Sequence, residues 1–445
     1  MVYLFYFVEY ITISHYHILI VYQFLRMILS PLYLYFPYQI INMKIRMKLK
    51  INALCLLAIL IPLFSACDNN KTNSSSEDDD PTFETIIYED GTEEVVEHPT
   101  ISANIPNGKE LSVLPSEWMS YYYQRDDYQS VVNYYVEGLE LTAPKHIYIM
   151  WMNENPTLES YLLLATNKEM TDAVSYATEG SYVGFNDLLA GKHYYYQIKA
   201  VYEDRVVISR RFNFKTVDFF RTIQINNVLN ARDLGNKVTA DGKKRVKQGL
   251  VYRTANFDSV TELGKEQATQ QYGIKTDLDL REPGPTESPL GPTVKYVNNG
   301  VGIYGSPMYV SIDTGVNVPE YQEAMRDNLK TLADKDNYPL AFHCAIGRDR
   351  TGTFALTLLL LLGVDKDQIR QDYVVSFFSK ACNQGIDFEA YVTQMEYLLK
   401  YYDRYKGGAQ SPDIDIYQRT ENYCLYIGLS KDEIASIRNI LLEDA

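Results

Sequence analysis

Between Tyr338 and Leu362 the chain passes from an apolar strand candidate, through a cysteine and a short glycine-containing loop, into a long apolar run. The connecting residues are His343-Cys344-Ala345-Ile346-Gly347-Arg348-Asp349-Arg350-Thr351-Gly352. Strand, tight loop and helix in that order predict an α/β arrangement, with the loop at the C-terminal edge of a sheet, where ligands bind in such folds. A helix N-terminus carries unpaired N–H groups and a partial positive charge, so it attracts anions. A cysteine placed there has a lowered pKa, and the thiolate is the attacking form. Arg350 offers a planar fork to two phosphate oxygens. The stretch therefore points to a phosphate cradle facing a nucleophilic sulfur, and to phosphate-ester hydrolysis through a cysteinyl-phosphate. The competing reading is a buried structural cysteine beside a helix cap.

The chain is 445 residues long, enough for two or three domains with sizeable cores. Its net charge of −15 argues against a nucleic-acid partner and gives no reason to expect an anionic membrane surface as partner. A phosphate site in such a chain must be made locally positive. The cysteines are Cys55, Cys67, Cys344, Cys382 and Cys424, with no Cys-x-x-Cys pair, and His343 is the only histidine after His193. No structural zinc site, no other metal site and no cofactor follow from that set, and no disulfide framework either, although a Cys382–Cys424 bridge stays open.

Residues 1–42 are rich in Tyr, Ile, Leu and Phe without a steady period. After them Met43 to Lys50 forms a basic start, Ala53 to Phe64 an apolar core, and Ser65-Ala66-Cys67 a small-residue end, the order of a signal peptide. Leu63-Phe64-Ser65-Ala66-Cys67 resembles a bacterial lipoprotein lipobox, with Phe64 where leucine is usual. That resemblance implies cleavage before Cys67, a lipid on Cys67, membrane attachment, and a place in a bacterial envelope at the outer membrane or cell surface. Residues 1–42 are then an extension ahead of the start at Met43 or Met47, the alternative being a genuine first membrane segment. Residues 67–99 open with an Asn, Ser and Asp run that cannot build a core and read as a tether. The Ser-then-acidic run is also similar to surface-export signals of some Gram-negative lipoproteins.

From 100 to 217 the pattern is β: Ile147 to Trp151, Tyr161 to Ala165 and Tyr194 to Val201 are separated by turn residues. Regular short strands suggest an all-β sandwich. Leu188 to Tyr194 resembles the tyrosine corner of fibronectin type III domains, with Ala190 where proline is common and Trp151 as the buried core tryptophan. Such a module implies a spacer or a protein-binding role.

Residues 218–445 read as the catalytic domain, with helix candidates at Glu262 to Tyr272, Pro319 to Asp334, Asp365 to Ser379, Asp387 to Tyr402 and Ser430 to Leu442. Ser430 and Glu433 have capping-box spacing. Glu282 to Pro292 is too rich in Pro and Gly for regular structure, and is either a flap over the site or a passive surface loop. The sequence His-Cys-x-x-Gly-x-Asp-Arg-Thr-Gly resembles the signature loop of the cysteine-dependent protein tyrosine phosphatase superfamily, in the bacterial form with an aspartate inside the loop. Asn230 to Gly235, Leu250 to Ala255 and Gly273 to Arg281 are similar to further motifs of those phosphatases, with Ala231 and Thr254 as departures.

The resemblance implies a central sheet flanked by helices and assigns roles. Cys344 is the nucleophile, and Arg350 with the amides of Ala345, Ile346, Gly347, Arg348 and Asp349 holds the phosphate. Thr351 donates to the sulfur, and His343 supports the loop backbone. Asp349 is preferred over Asp279 as the general acid, the other reading of Asp349 being an ion-pair partner of Arg350. Arg348 adds positive charge at the mouth. Arg232, Arg253 and Arg281 either shape the pocket or pair with Asp233 and Asp279. The substrate implied is a phosphotyrosine protein or another phosphomonoester, for a tyrosine or dual-specificity phosphatase. The alternatives are a phosphoinositide or inositol-phosphate phosphatase, suited by a basic loop, and a catalytically inactive surface-binding lipoprotein.

Overall fold

The computed structural model describes residues 83–97, 99–114, 140–154, 156–301, 319–382 and 415–445. Cys67, the signal stretch, most of the expected tether and the helix expected at Asp387 to Tyr402 lie outside the described residues.

Among the described residues before 217 are the strands β1 Glu84–Tyr88, β2 Glu93–Val96, β3 Ile101–Ala103, β4 Lys109–Leu111, β5 Ile147–Asn153, β6 Glu159–Ala165, β7 Val174–Thr178, β8 Tyr182–Phe185, β9 His193–Val201, β10 Arg205–Ile208 and β11 Phe212–Thr216. They form a larger sheet ordered β2-β1-β10-β9-β11-β4, with β6 and β7 also joined to β9, and a smaller sheet ordered β3-β5-β8. Strict alternation along β9 turns Tyr194, Tyr196, Ile198 and Ala200 to the core, where they share one apolar cluster with Ile149 and Trp151 of β5. The Tyr194 hydroxyl accepts from the Leu189 N–H at 2.8 Å.

Two strands correct the expected tether, because β1 and β2 fall within 67–99. Ile86 pairs with Val207, which adds the Glu84–Tyr88 segment to the larger sheet, with β2 paired outside it. Glu84 is fully buried, accepting hydrogen bonds from the Thr100 N–H, the Thr100 hydroxyl and the Ile101 N–H. Acidic composition suggested a solvated stretch; a carboxylate satisfied by three donors behaves otherwise.

The C-terminal half adds strands β12 Arg232–Asp233, β13 Lys244–Val246, β14 Val251–Thr254, β15 Thr276–Arg281, β16 Lys295–Val301, β17 Leu340–His343 and β18 Leu442–Asp444. Its helices are α1 Glu262–Glu266, continued by a π-turn at Gln267–Gln271, α2 Pro319–Ala333, α3 Asp349–Leu361, α4 Lys366–Val374 with a 3-10 turn at Val375–Phe378, α5 Ile416–Tyr426 and α6 Lys431–Leu441. The Ser430–Glu433 capping box forms at the start of α6. Strand order is β12-β14-β17-β15-β16 with β14, β17, β15 and β16 parallel. β17 is central, and its register sets His343 beside Thr254 on one side and Asp279 on the other. Three sequence motifs more than twenty residues apart thus end on one edge.

Every residue from Thr351 to Leu361 in α3 is buried, so this helix runs through the core rather than over it. The 282–292 segment is fastened down: the Ser288 hydroxyl donates to Asp277 at 2.7 Å and Leu290 is buried in the core cluster that holds Phe257 and Ile274. That favours the surface-loop reading over the flap. The two halves are joined by polar contacts: Ala190 N–H and C=O both bond the Gln248 side-chain amide at 2.9 Å, and Arg221 donates to the Asp187 carbonyl while pairing with the buried Asp233. Leu359 is fully buried at the middle of α3. Leu359→Ala is expected to lower unfolding stability by about 2–5 kcal/mol, read as a lower urea midpoint.

Candidate active site

Cys344 follows the last residue of β17 and sits 2% exposed as a free thiol, and α3 begins at Asp349. Burial alone would push this thiol up. The Thr351 hydroxyl, the Thr351 N–H and the Arg350 guanidinium outweigh burial and the opposing charge of Asp349, and the thiol lies below its ordinary value. The Thr351 hydroxyl is buried and close enough to favour the thiolate, yet completes no hydrogen bond in the resting geometry. Gly347 has φ +71°, and a Cβ there would meet the Thr254 carbonyl oxygen at 2.4 Å, so both conformation and space demand glycine.

Carbonyl after carbonyl of the loop is held by a partner. Ala345 C=O accepts from the Asn256 amide at 2.6 Å, and Ile346 C=O accepts from Asn230 at 3.1 Å and the Cys382 thiol at 3.2 Å. Gly347 C=O accepts from Asn230 at 3.1 Å and Arg253 at 2.9 Å, and Arg348 C=O from the Gly352 N–H at 2.7 Å. With these carbonyls committed to donors, the peptides of the loop are held in fixed orientations.

Behind the loop lies a buried charge cluster. Asp372, on α4, pairs with Arg232 at 3.2 Å, with Lys237 at 3.3 Å and, in a short contact, with Arg253. Burial works against this carboxylate, but Arg232, Arg253 and Lys237 hold it far below the usual carboxylate range. Burial, with Arg232 alongside, pushes Arg253 down to about 10. Arg232 also donates to the Asn230 side chain at 2.7 Å and the Ser376 hydroxyl at 3.0 Å, tying the Asn230 amide to the same cluster.

His343 Nε2 lies 2.8 Å from Asp277, and Nδ1 lies 3.3 Å from the Cys344 carbonyl and 3.8 Å from Asp279. Burial opposes the imidazolium, but Asp277 and Asp279 raise its pKa, and the ring, held between Asp277 and the Cys344 carbonyl, braces the Cys344 backbone. Asp279 is fully buried and bonded by Arg281 and by the Tyr296 hydroxyl at 3.1 Å. Burial pushes it up, while Arg281 and His343 bring it below the ordinary value.

Three expectations change. Arg348 does not stand at the mouth: it is 3% exposed, with its Nε 2.9 Å from Asp349 and an Nη1 bond of 3.1 Å to the Cys382 carbonyl. The first turn of a helix and a buried carboxylate beside it turn the guanidinium inward. Arg348 is thus an ion-pair partner of Asp349. Arg232 and Arg253 pair with Asp372, and Asp233 is taken by Arg221, whereas the Arg281–Asp279 pair forms as read, with Asp258 as a second partner at 2.7 Å. Cys382 and Cys424 are both free and buried, which closes the bridge left open. Asn230, Asn256, Asp372, Ser376 and Cys382 were assigned no role from the sequence, although Asn230 opens the Asn-Ala-Arg-Asp-Leu-Gly stretch and Asp372 lies in the segment from Gly363 to Tyr373 that is also similar to the family. Among the described residues no group of His, Cys, Asp and Glu is placed to hold a metal ion.

The sequence model of the Tyrosine phosphatase family matches residues 223–443. The C-terminal half is a tyrosine phosphatase family domain. Such domains are phosphatases, hydrolases of phosphate esters, and the loop built on Cys344 lies inside the matched span. A protein of Cupriavidus necator, whose name assigns it provisionally to the tyrosine-protein phosphatases, is 30% identical over 174 residues, which cover 35% of this chain. The chain spans 62% of that relative's length. Among solved structures, the core catalytic domain of the PP-IP phosphatase Siw14 from S. cerevisiae is matched with 16% identity and a TM-score of 0.25, over 37% of this chain and 85% of that one. TpbA of P. aeruginosa is matched with 16% identity and a TM-score of 0.20, over 44% and 88%. Likenesses at those scores carry no argument here.

Two outcomes follow for the phosphatase domain. Asp372→Asn leaves three buried cations without their carboxylate and is expected to cost about 3–5 kcal/mol of stability, measured by urea unfolding. The His343 pKa is raised, so its contribution is complete below about pH 6.5 and is lost as pH rises through the folded value. The Asp279 pKa is lowered, so its contribution is complete above about pH 4 and is lost as pH falls through the folded value. The melting-temperature gap between wild type and His343→Gln should therefore be widest between about pH 4 and 6.5 and shrink above it.

Proposed function

We propose that the chain hydrolyses phosphomonoesters of the phosphotyrosine type through a cysteinyl-phosphate. The observation that carries this is the Cys344 thiol, with a lowered pKa, facing a loop whose carbonyls are each bound elsewhere. Cys344 Sγ attacks phosphorus while Arg350 and the amides of residues 345–350 take the charge on the non-bridging oxygens. The S–P bond forms as the bond to the leaving oxygen breaks, and Asp349 gives that oxygen a proton. Water then attacks phosphorus, returning its proton to Asp349, and the S–P bond breaks with Thr351 favouring the departing thiolate. Asp279, bonded by Arg281 and Tyr296 and held below its ordinary pKa, suits a fixed anion better than an acid.

The inward turn of Arg348 supports this substrate class over inositol phosphates, since the basic mouth that favoured polyanions is spent on Asp349. Intact geometry around Cys344 argues against an inactive binding protein. The two-sheet core with buried Trp151 and the Tyr194 corner supports reading the β-rich half as a fibronectin type III-like sandwich. The lipobox-like end at Cys67 supports a lipid-anchored envelope protein, a reading that unchanged membrane fractionation of Cys67→Ala would sink.

Cys344→Ser is expected to abolish hydrolysis of a generic aryl phosphate, whereas EDTA leaves it untouched; retained turnover in Cys344→Ser overturns the mechanism. A side-by-side panel of phosphopeptides and phosphoinositides tests the substrate class. With leaving groups of differing pKa, Asp349→Asn should penalise the poor ones by about 10²–10⁴-fold and Asp279→Asn should not discriminate among them.

A further inference from the structure

One wall of the catalytic loop is Ser379 to Cys382, the segment that follows the 3-10 turn after α4. The Cys382 carbonyl accepts from Arg348 at 3.1 Å, and the Cys382 thiol donates to the Ile346 carbonyl at 3.2 Å. Arg348 in turn grips Asp349, the first residue of α3, through two bonds of 2.9 and 3.2 Å. Whatever fixes Cys382 therefore fixes the middle of the loop and the start of the helix together. From within the domain the segment is held by turn bonds, Ser379 N–H to Ser376 C=O at 3.1 Å and Cys382 N–H to Ser379 C=O at 2.9 Å.

The further hold comes from outside the family-matched residues. Glu140 Oε2 accepts from the Ser379 hydroxyl at 2.7 Å and from the Lys380 N–H at 3.1 Å. Its other oxygen is taken by the Thr142 hydroxyl, which orients the carboxylate. The next residue, Leu141, donates its N–H to the Phe378 carbonyl at 2.8 Å and packs on the catalytic core, where Leu114 is also buried. A carboxylate on two neutral donors of one short segment acts as a cap: charge-assisted bonds are stronger than neutral ones and fix geometry.

We propose that Glu140, which precedes the phosphatase domain in sequence, is a positioning residue for its catalytic loop, acting through Ser379 to Cys382 on Arg348 and Asp349. The inference rests on the phosphatase reading above. It makes the β-rich half part of the working enzyme rather than a passive spacer.

The test uses the full chain. Glu140→Ala is expected to lower kcat/KM for an aryl phosphate about tenfold, mostly in kcat, with an unchanged melting profile. Glu140→Gln, which keeps one acceptor oxygen, should stay within about threefold of wild type. In an Arg348→Ala background the Glu140→Ala loss should largely vanish, because both act along one path. Full activity of Glu140→Ala, a loss accounted for by the unfolded fraction, or losses that simply add with Arg348→Ala would overturn the proposal. Should wild type prove inactive on aryl phosphates, the phosphatase reading fails by itself. The Glu140 proposal is then read from iodoacetamide alkylation of Cys344: a raised apparent pKa in Glu140→Ala supports it, and an unchanged one refutes it.

Discussion

The loop after Cys344 keeps its course because the carbonyl oxygens of Ala345, Ile346, Gly347 and Arg348 are each bound by a donor. A peptide that turns its N–H inward must turn its C=O outward, and a buried carbonyl without a donor is costly. Asn256, Asn230, Cys382 and Arg253 supply those donors. They come from β14, its following loop, the segment before β12 and the end of the α4 turn, so most of the domain is arranged around one short loop. Cradles of this kind lose little reorganisation energy when the anion arrives, which is where their effect on a reaction lies.

The same donors bring charge with them. Asp372 offsets three buried cations with one carboxylate, leaving the region behind the loop positive in a chain whose net charge is −15. At an effective dielectric of about 20, a cation roughly 8 Å from a bound anion contributes about 2 kcal/mol. Buried cations keep that effect better than surface ones, which salt screens. Positive charge is therefore concentrated behind the loop, while Arg348 and Arg281 are paired with Asp349, Asp258 and Asp279.

Much of this was legible in residue order, and the limits of legibility have a physical pattern. Alternation in Tyr194 to Val201, the apolar run after Thr353 and the Ser430-to-Glu433 spacing each report short-range geometry, and each element forms with bounds close to those read. Strand Glu84–Tyr88 was read as tether because its burial depends on Val207 and Thr100, not on its own composition. Arg348 was placed at the mouth because side-chain direction at a helix start depends on which carboxylate and carbonyl are within reach.

By itself the sequence determined the strand, the cysteine, the glycine turn and the helix that follows, because these are local steric and hydrogen-bonding requirements written in consecutive residues. It also placed Thr254, His343 and Asp279 in separate motifs, which the register of β17 brings to one sheet edge. Only the tertiary structure decided which charges meet: Arg232 with Asp372, Arg221 with Asp233, and Glu140 with Ser379. Those partners are separated by as many as 239 residues, and no spacing rule encodes a pair that only the packing of sheets and helices brings within hydrogen-bond reach.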